Sequence, residues 1–176
     1  MSGVEMRTSE EAMMLDSVDR FLERDVRPVA RELEASDTYP QSIVDRMIEL
    51  GLFGATISTE YGGLGLSATT YASIVERISA VWMSVSGLFN SHLIMAAAVQ
   101  RFGTERQKNH YLPRFASGEL RGGIGLTEPD CGTDLQGIRT QAVGEDDHYV
   151  VNGAKTWITN SAEGGILAVL VKTDPR

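Results

Sequence analysis

The sequence predicts an α+β fold in which helices come first and strands follow. Up to about residue 118, apolar residues recur at steps of three and four, which is the period of amphipathic helices. Beyond that point glycine, threonine and valine become more frequent, and the period shortens to two. This order argues against the regular alternation of a parallel α/β sheet. We expect a helical domain over residues 1–118, followed by part of an antiparallel β-barrel domain over residues 119–176.

The first two predicted helices span residues 9–35 and 41–50. Apolar side chains recur at helical spacing in both, and acidic residues crowd the first turns of the longer one, where the helix dipole favours them. Pro28 lies inside the first helix and cannot donate a backbone hydrogen bond, so we expect a kink there. Gly51 is the expected terminator of the second helix.

Three further helices are predicted over residues 68–84, 86–101 and 104–116. Ser67 and Thr104 precede the first and the last of them and are suitable N-caps. The stretch before Ser67 matches the dinucleotide pattern G-x-G-x-x-A. However, it follows a poor candidate for a buried strand, and no acidic residue lies where ribose binding needs one. We interpret this stretch as a flexible loop.

The uncharged run over residues 78–100 is long enough to cross a bilayer. Gly87 and several polar side chains interrupt it. Two largely buried helices therefore explain the run better than a membrane span, and no membrane partner is expected.

The strand region contains one clear turn signal. Asn152-Gly153 stands between two β-like runs and is typical of a type I′ hairpin, because both central residues of that turn need positive φ. The predicted strands cover residues 122–127, 138–143, 148–152, 155–160 and 166–172.

Composition narrows the possible functions. The 176 residues carry a formal charge of −8 and no basic stripe, so a nucleic-acid partner is not expected. Cys131 is the single cysteine and cannot form an internal disulfide. The acidic start of the sequence is unlike a signal or transit peptide, so we expect a cytoplasmic, bacterial protein. His92, His110 and His148 lack the spacing of metal ligands, and no metal is expected.

Residues 121–160 carry the specific signal. They contain RGGIGLTEPDCGTDLQGIRTQA and then DDHYVVNGAKTWITN. In order and spacing, these segments closely resemble the two flavin-binding signatures of the acyl-CoA dehydrogenase family. The helical region upstream, with GLFG, EYGGLG and RFGTERQKNHYLP, is also similar to the N-terminal domain of that family.

The resemblance implies an FAD site. Gly132 would let backbone N–H groups approach a pyrophosphate, and Thr133 would add a hydroxyl and lie near the acyl-CoA substrate. The family pattern puts Thr127 and Trp157 against the isoalloxazine and the Thr159 hydroxyl near its reactive nitrogen. The implied cofactor-binding residues are Ile124, Gly125, Leu126, Thr127, Gly132, Thr133, Trp157, Ile158 and Thr159.

Composition alone offers a plainer interpretation of the same residues. Trp157 would then be a core residue, and Thr127 and Thr159 ordinary strand residues. On a second hairpin strand, Trp157 and Thr159 would share one face, and Ile158 would point to the other. Glu128 stands beside Pro129 and is expected to fix a turn rather than to act as a base.

The resemblance implies α,β-dehydrogenation of acyl-CoA thioesters in fatty-acid or related catabolism. An electron-transferring flavoprotein would reoxidise the FAD, and the parent would be a homotetramer or homodimer. Family members continue into a C-terminal helical domain that supplies the catalytic glutamate. We therefore expect a fragment, the N-terminal half of the enzyme, with no catalytic residue of its own and no activity alone. Two alternatives stay open: an acyl-CoA oxidase or flavin monooxygenase on the same scaffold, and a non-catalytic helical interaction module.

Overall fold

Helices come first and a small β region follows, which confirms the α+β class. The structure is a computed structural model that describes residues 9–174. The parts of the two predicted domains at residues 1–8 and 175–176 lie outside this range. The helices are α1 (Ser9–Phe21), α2 (Ala30–Ala35), α3 (Gln41–Glu49), α4 (Ala68–Phe102) and α5 (Glu105–Ala116). The strands are β1 (Gly122–Gly125), β2 (Gln141–Glu145), β3 (His148–Asn152) and β4 (Ile166–Val169).

Pro28 separates α1 from α2, so the helix predicted over residues 9–35 is in fact two. A π-helical segment, Leu22–Val26, continues α1. Its wider turn is closed by the Arg27 N–H, which donates to the Leu22 carbonyl at 2.8 Å. Proline has no N–H to continue the helical ladder, and the chain turns before it becomes helical again at Ala30.

The predicted caps of the other helices are confirmed. Gly51 follows α3 with φ of 72°, a left-handed conformation that glycine adopts without strain. The Ser67 hydroxyl accepts from the Thr70 N–H at 3.2 Å at the start of α4. Thr104 and Gln107 form a reciprocal capping box at the start of α5.

The long helix α4 is interrupted at Trp82, three residues before the break that the sequence predicts. Trp82 has φ of −156° and ψ of 102°, which are not helical values. Its indole N–H donates to the Glu34 carboxylate, and the Ser84 hydroxyl donates to the same carboxylate at 3.2 Å. A partner 48 residues away therefore fixes the position of the break, and no local signal marks it.

By length and composition alone, α4 could cross a membrane. In its most apolar 18-residue window, 44% of the residues are buried inside the fold. Its inner face contributes Ile78, Val85 and Phe89 to the hydrophobic core, together with Phe21, Phe53 and Phe115 from other elements. The inner face of α4 therefore packs into the core of the helical region.

The strands form two pairs. β2 and β3 are antiparallel, whereas β1 and β4 pair in parallel from Gly122↔Ile166 to Gly125↔Val169, which departs from the purely antiparallel arrangement expected from the sequence. A parallel pair needs a long connection, which the chain between β1 and β4 supplies. A Cβ at Gly122 would come within 2.0 Å of the Ile166 carbonyl oxygen, so this register requires glycine.

The predicted turn at Asn152-Gly153 is wrong, and residues 155–160 do not form a strand. The hairpin instead joins β2 and β3 through Asp146-Asp147, with φ of 51° at Asp146. Gly153 serves close packing, since a Cβ there would lie 2.3 Å from the Thr140 hydroxyl oxygen. The glycine of this Asn-Gly pair is therefore needed where the chain packs against Thr140, and the pair does not form the hairpin turn.

His92 joins the helices to the β region. The Gly122 N–H donates to its Nδ1 at 3.3 Å, so Nε2 carries the proton and donates to the Phe115 carbonyl at 3.2 Å. The Phe53 and Phe115 rings meet the imidazole edge-on, at centroid distances of 5.2 and 5.4 Å. This burial lowers the pKa of His92 to about 4, so the ring is neutral at pH 7.

Candidate functional site

The two motif segments predicted to contact the flavin lie side by side. Leu126 and Thr127 continue the chain from the end of β1, and the Thr156 N–H donates to the Thr127 carbonyl at 2.9 Å. At the end of β1, the Leu170 N–H donates to the Gly125 carbonyl at 3.0 Å. Segments more than 25 residues apart in sequence are thus held at the same end of one strand.

A buried ion pair fixes this arrangement. Lys155 Nζ donates to the Leu126 carbonyl at 2.9 Å and to Glu128 Oε1 at 2.8 Å. The same carboxylate accepts from the backbone N–H of Arg139 at 2.6 Å and of Thr140 at 3.0 Å. Glu128 therefore ties three stretches of chain together: the end of β1, the start of β2 and the segment that begins at Lys155.

Glu128 is a structural carboxylate. Burial acts to raise its pKa, but the Lys155 ammonium and the backbone N–H groups of Arg139 and Thr140 outweigh it and lower the pKa to about 2. It is therefore ionised at neutral pH, with both oxygens engaged, and cannot serve as a general base. This agrees with the expectation that it fixes a turn: its N–H donates to the Cys131 carbonyl at 2.8 Å.

Replacing Lys155 by methionine should raise the pKa of Glu128 by about one unit or more, because its opposite charge is lost. In the wild type, a lowered carboxyl pKa stabilises the fold above the ordinary carboxyl pKa, and this contribution disappears as the pH falls towards 2. The variant should be less stable at neutral pH and less sensitive to acid in that range. Carboxyl NMR titration and urea unfolding measure both effects.

Lys108→Met is the matched control for this prediction. Lys108 pairs with the exposed Glu105 at 2.9 Å on the surface of α5, where an ion pair contributes little. The Lys108→Met substitution should leave the Glu128 titration and the stability at neutral pH nearly unchanged. An unaltered Glu128 titration in Lys155→Met would contradict the role given to the ion pair.

The residues predicted to bind the cofactor differ in their exposure. Ile124 and Gly125 lie within β1, with Gly125 buried. Leu126, Thr127 and Ile158 are half-buried, whereas Gly132, Thr133, Trp157 and Thr159 are exposed.

Trp157 departs from the plainer, composition-based interpretation of its segment. It is 90% exposed, so it is not a core residue of the described structure. Its φ is 57°, so the strand alternation predicted for Trp157, Ile158 and Thr159 is wrong. The segment is an irregular loop in which a bulky residue adopts the left-handed conformation, which is unfavourable without support from its neighbours.

These residues fit a large polar ligand such as FAD. Within residues 9–174, the hydroxyls of Thr127, Thr133 and Thr159 make no intramolecular hydrogen bond, so they remain available to a ligand. A Cβ at Gly132 would meet only the Thr127 Cγ2, at 3.7 Å, so the backbone there is open to close approach. The exposed Trp157 indole offers a flat surface on which a ring could stack.

Sequence reasoning gave no role to Lys155, although the motif contains it. Its function depends on Glu128, 27 residues away, and no local pattern indicates that contact. The same applies to His92, whose three neighbours come from separate elements. The motif Y-x-x-N-G-x-K contains a lysine at this position, but it does not indicate which residue the lysine contacts.

Family models match almost the whole chain. Residues 8–119 match the acyl-CoA dehydrogenase N-terminal domain, and residues 123–176 match the acyl-CoA dehydrogenase middle domain. The chain is 37% identical over 168 residues to the short-chain specific acyl-CoA dehydrogenase of Clostridium acetobutylicum. That alignment covers 95% of this chain and 44% of the relative.

Two solved structures illustrate the structural likeness. The acyl-CoA dehydrogenase of Bacillus anthracis complexed with FAD superposes with a TM-score of 0.86 at 35% identity, over 96% of this chain and 30% of that one. A chain from the electron transferring flavoprotein structure of Acidaminococcus fermentans gives 0.90 at 34% identity, over 99% and 46%. The chain thus spans less than half the length of these relatives.

Proposed function

We propose, because this chain belongs to the acyl-CoA dehydrogenase family, that it binds FAD and acts in the α,β-dehydrogenation of acyl-CoA thioesters. One observation carries the proposal. The hydrogen bond from the Thr156 N–H to the Thr127 carbonyl, at 2.9 Å, brings both flavin signatures to the end of β1. A short-chain specific acyl-CoA dehydrogenase among the relatives supports the substrate class.

The exposed loop residues would hold the cofactor. Gly132 and Thr133 would accommodate the pyrophosphate through backbone N–H groups and a hydroxyl, and Thr133 would also face the acyl-CoA. Thr127, Thr159 and the Trp157 indole would border the isoalloxazine. The remaining predicted residues (Ile124, Gly125, Leu126 and Ile158) would shape the backbone against which the flavin lies.

FAD held by these residues would supply the hydride-accepting redox chemistry of the reaction. The residues of this chain would orient the ring and exclude alternative poses. Removal of the α-proton needs a carboxylate within hydrogen-bond reach, and Glu128 is committed to Lys155 and two backbone N–H groups. The base is therefore a group other than Glu128.

The proposed function also implies a substrate, a redox partner and an oligomeric state. An acyl-CoA is the substrate, an electron-transferring flavoprotein receives the electrons, and the active protein is a homo-oligomer. The similarity to a chain from the Acidaminococcus fermentans structure supports the redox partner, since that structure is described as an electron transferring flavoprotein.

Titration with FAD tests this function. Flavin fluorescence and the visible spectrum should report saturable binding, and a short-chain acyl-CoA should then perturb the bound flavin spectrum. Absence of FAD binding would contradict the cofactor, and FAD binding without any response to acyl-CoAs would contradict the substrate class. An assay with an artificial electron acceptor completes the test. Robust turnover by these 176 residues alone would show that they contain a base.

A further inference from the structure

The loop that follows Lys155 contains two left-handed residues. Trp157 has φ of 57° and Asn160 has φ of 64°. Asparagine tolerates this conformation, whereas tryptophan rarely adopts it. Because Trp157 is 90% exposed, packing of its own side chain does not hold it there. Contacts made by neighbouring residues must therefore impose the shape of this loop.

The Asn160 side chain makes the central contact. Its Nδ2 donates at 2.8 Å to the Leu88 carbonyl, in α4, and also at 2.8 Å to the Gly122 carbonyl, at the start of β1. One amide group thus uses both of its hydrogens to join the loop to two different elements. The loop cannot shift along β1 without breaking one of these bonds.

The backbone around Asn160 is equally constrained. The Gly164 N–H donates to the Asn160 carbonyl at 2.8 Å, and the Gly165 N–H donates to the Arg121 carbonyl at 2.8 Å. A Cβ at Gly123 would lie 2.5 Å from the Thr159 carbonyl oxygen, so the loop rests directly on the β1 backbone. On the other side of Trp157, the Thr156 N–H is bound to Thr127.

We propose that Asn160 is a positioning residue: by bridging Leu88 and Gly122 it presents Trp157 and Thr159 to the flavin in a preformed geometry. This inference rests on the proposed FAD site. Holding a strained, exposed tryptophan in place before the ligand arrives removes an ordering cost from binding. The same bridge fixes the distance between the flavin-facing loop and α4.

Two substitutions test this role. Asn160→Asp keeps the shape of the side chain but replaces both donors with an acceptor, and Asn160→Gly keeps the left-handed backbone without any bridge. Both should weaken FAD binding about tenfold and alter the visible circular dichroism of bound flavin. In the FAD-free protein, amide hydrogen exchange should accelerate at Thr156 and Gly164 while the helices stay protected.

Asn152→Asp is the matched control, because it makes the same charge change at an exposed position at the end of β3. Unchanged FAD affinity and circular dichroism in both Asn160 variants would overturn the proposal, even if their thermal stability fell. Should the aspartate variant not fold, the glycine variant decides. If the wild type binds no FAD, the proposed function fails, and the exchange measurement still decides whether Asn160 holds the loop.

Discussion

Acidification from pH 7 to pH 4 should remove on the order of 3 kcal/mol from the free energy of unfolding through His92 alone. The buried imidazole lies between Phe53 and Phe115, and burial is the main cause that lowers its pKa from 6.5 to about 4. The positive charge of Arg121 acts in the same direction. A proton on this ring would also disrupt the bond that Nδ1 accepts from the Gly122 N–H.

The direction follows from which state binds the proton. Between pH 6.5 and 4 the unfolded chain protonates His92 while the folded protein does not, so stability falls as the pH falls. Above 6.5 both states are neutral, and below about 4 both are protonated, so His92 adds no slope in either range. Glu128 contributes only at lower pH, below the ordinary carboxyl pKa.

Urea unfolding at several pH values between 7.5 and 5 measures this effect. This range runs from about one unit above the upper limit of the His92 window, pH 6.5, down into that window, and it stays above the ordinary carboxyl pKa values of about 3.9 and 4.3. His92→Gln should be less stable at neutral pH but should lose most of the pH dependence. His148→Gln, at an exposed position on β3, should retain it. Equal slopes in the wild type and His92→Gln would show that another group controls the acid response.

Gly132→Val should weaken FAD binding by at least about 100-fold, or about 2.7 kcal/mol, because a branched side chain would block the backbone from the pyrophosphate. The fold should survive. A Cβ at this position meets only the Thr127 Cγ2 at 3.7 Å, and Gly132 does not have the positive φ that would oppose a side chain. FAD titration and thermal unfolding separate the two effects.

Gly144→Val provides a matched control on β2, where a Cβ meets only the Tyr149 Cε1, also at 3.7 Å. It adds the same side chain at an exposed strand position that is not among the residues predicted to bind the cofactor, so affinity for FAD should not change. If Gly132→Val binds FAD as tightly as this control, the pyrophosphate does not lie at Gly132.

Helix ends could be predicted because their signals are local. Ser67, Thr104 and Gly51 lie next to the backbone groups that they cap or terminate, so a few residues of sequence contain the whole interaction. The break at Trp82 could not be predicted in the same way. It depends on Glu34, which lies in another helix and reaches Trp82 only after the helices pack.

In the β region, too, contacts between distant residues decide what local sequence signals could not predict. Asn152-Gly153 is a good hairpin signal, but Gly153 is required by its approach to Thr140. The family motif predicts two flavin-facing segments, and the structure brings these segments together at Thr127 and Thr156. The motif could not reveal that this loop is irregular, since its shape depends on the bonds from Asn160 to Leu88 and Gly122, which lie outside the loop.

The parallel pairing of β1 with β4 has a consequence for folding kinetics. Pairing of Gly122 with Ile166 closes a long loop of chain. The conformational entropy of this loop must be lost before the pairing of β1 with β4 gains any stability. Each helix forms through backbone hydrogen bonds between residues four positions apart, and such local contacts are made early. We therefore expect the region around Thr127 and Thr156, where the flavin is proposed to bind, to be assembled last, and we expect transient separation of β4 to open it while the helices stay intact. Affinity for a flavin and resistance to this local opening are therefore thermodynamically linked, so a bound cofactor would slow amide exchange in β1 and β4 more than in α4.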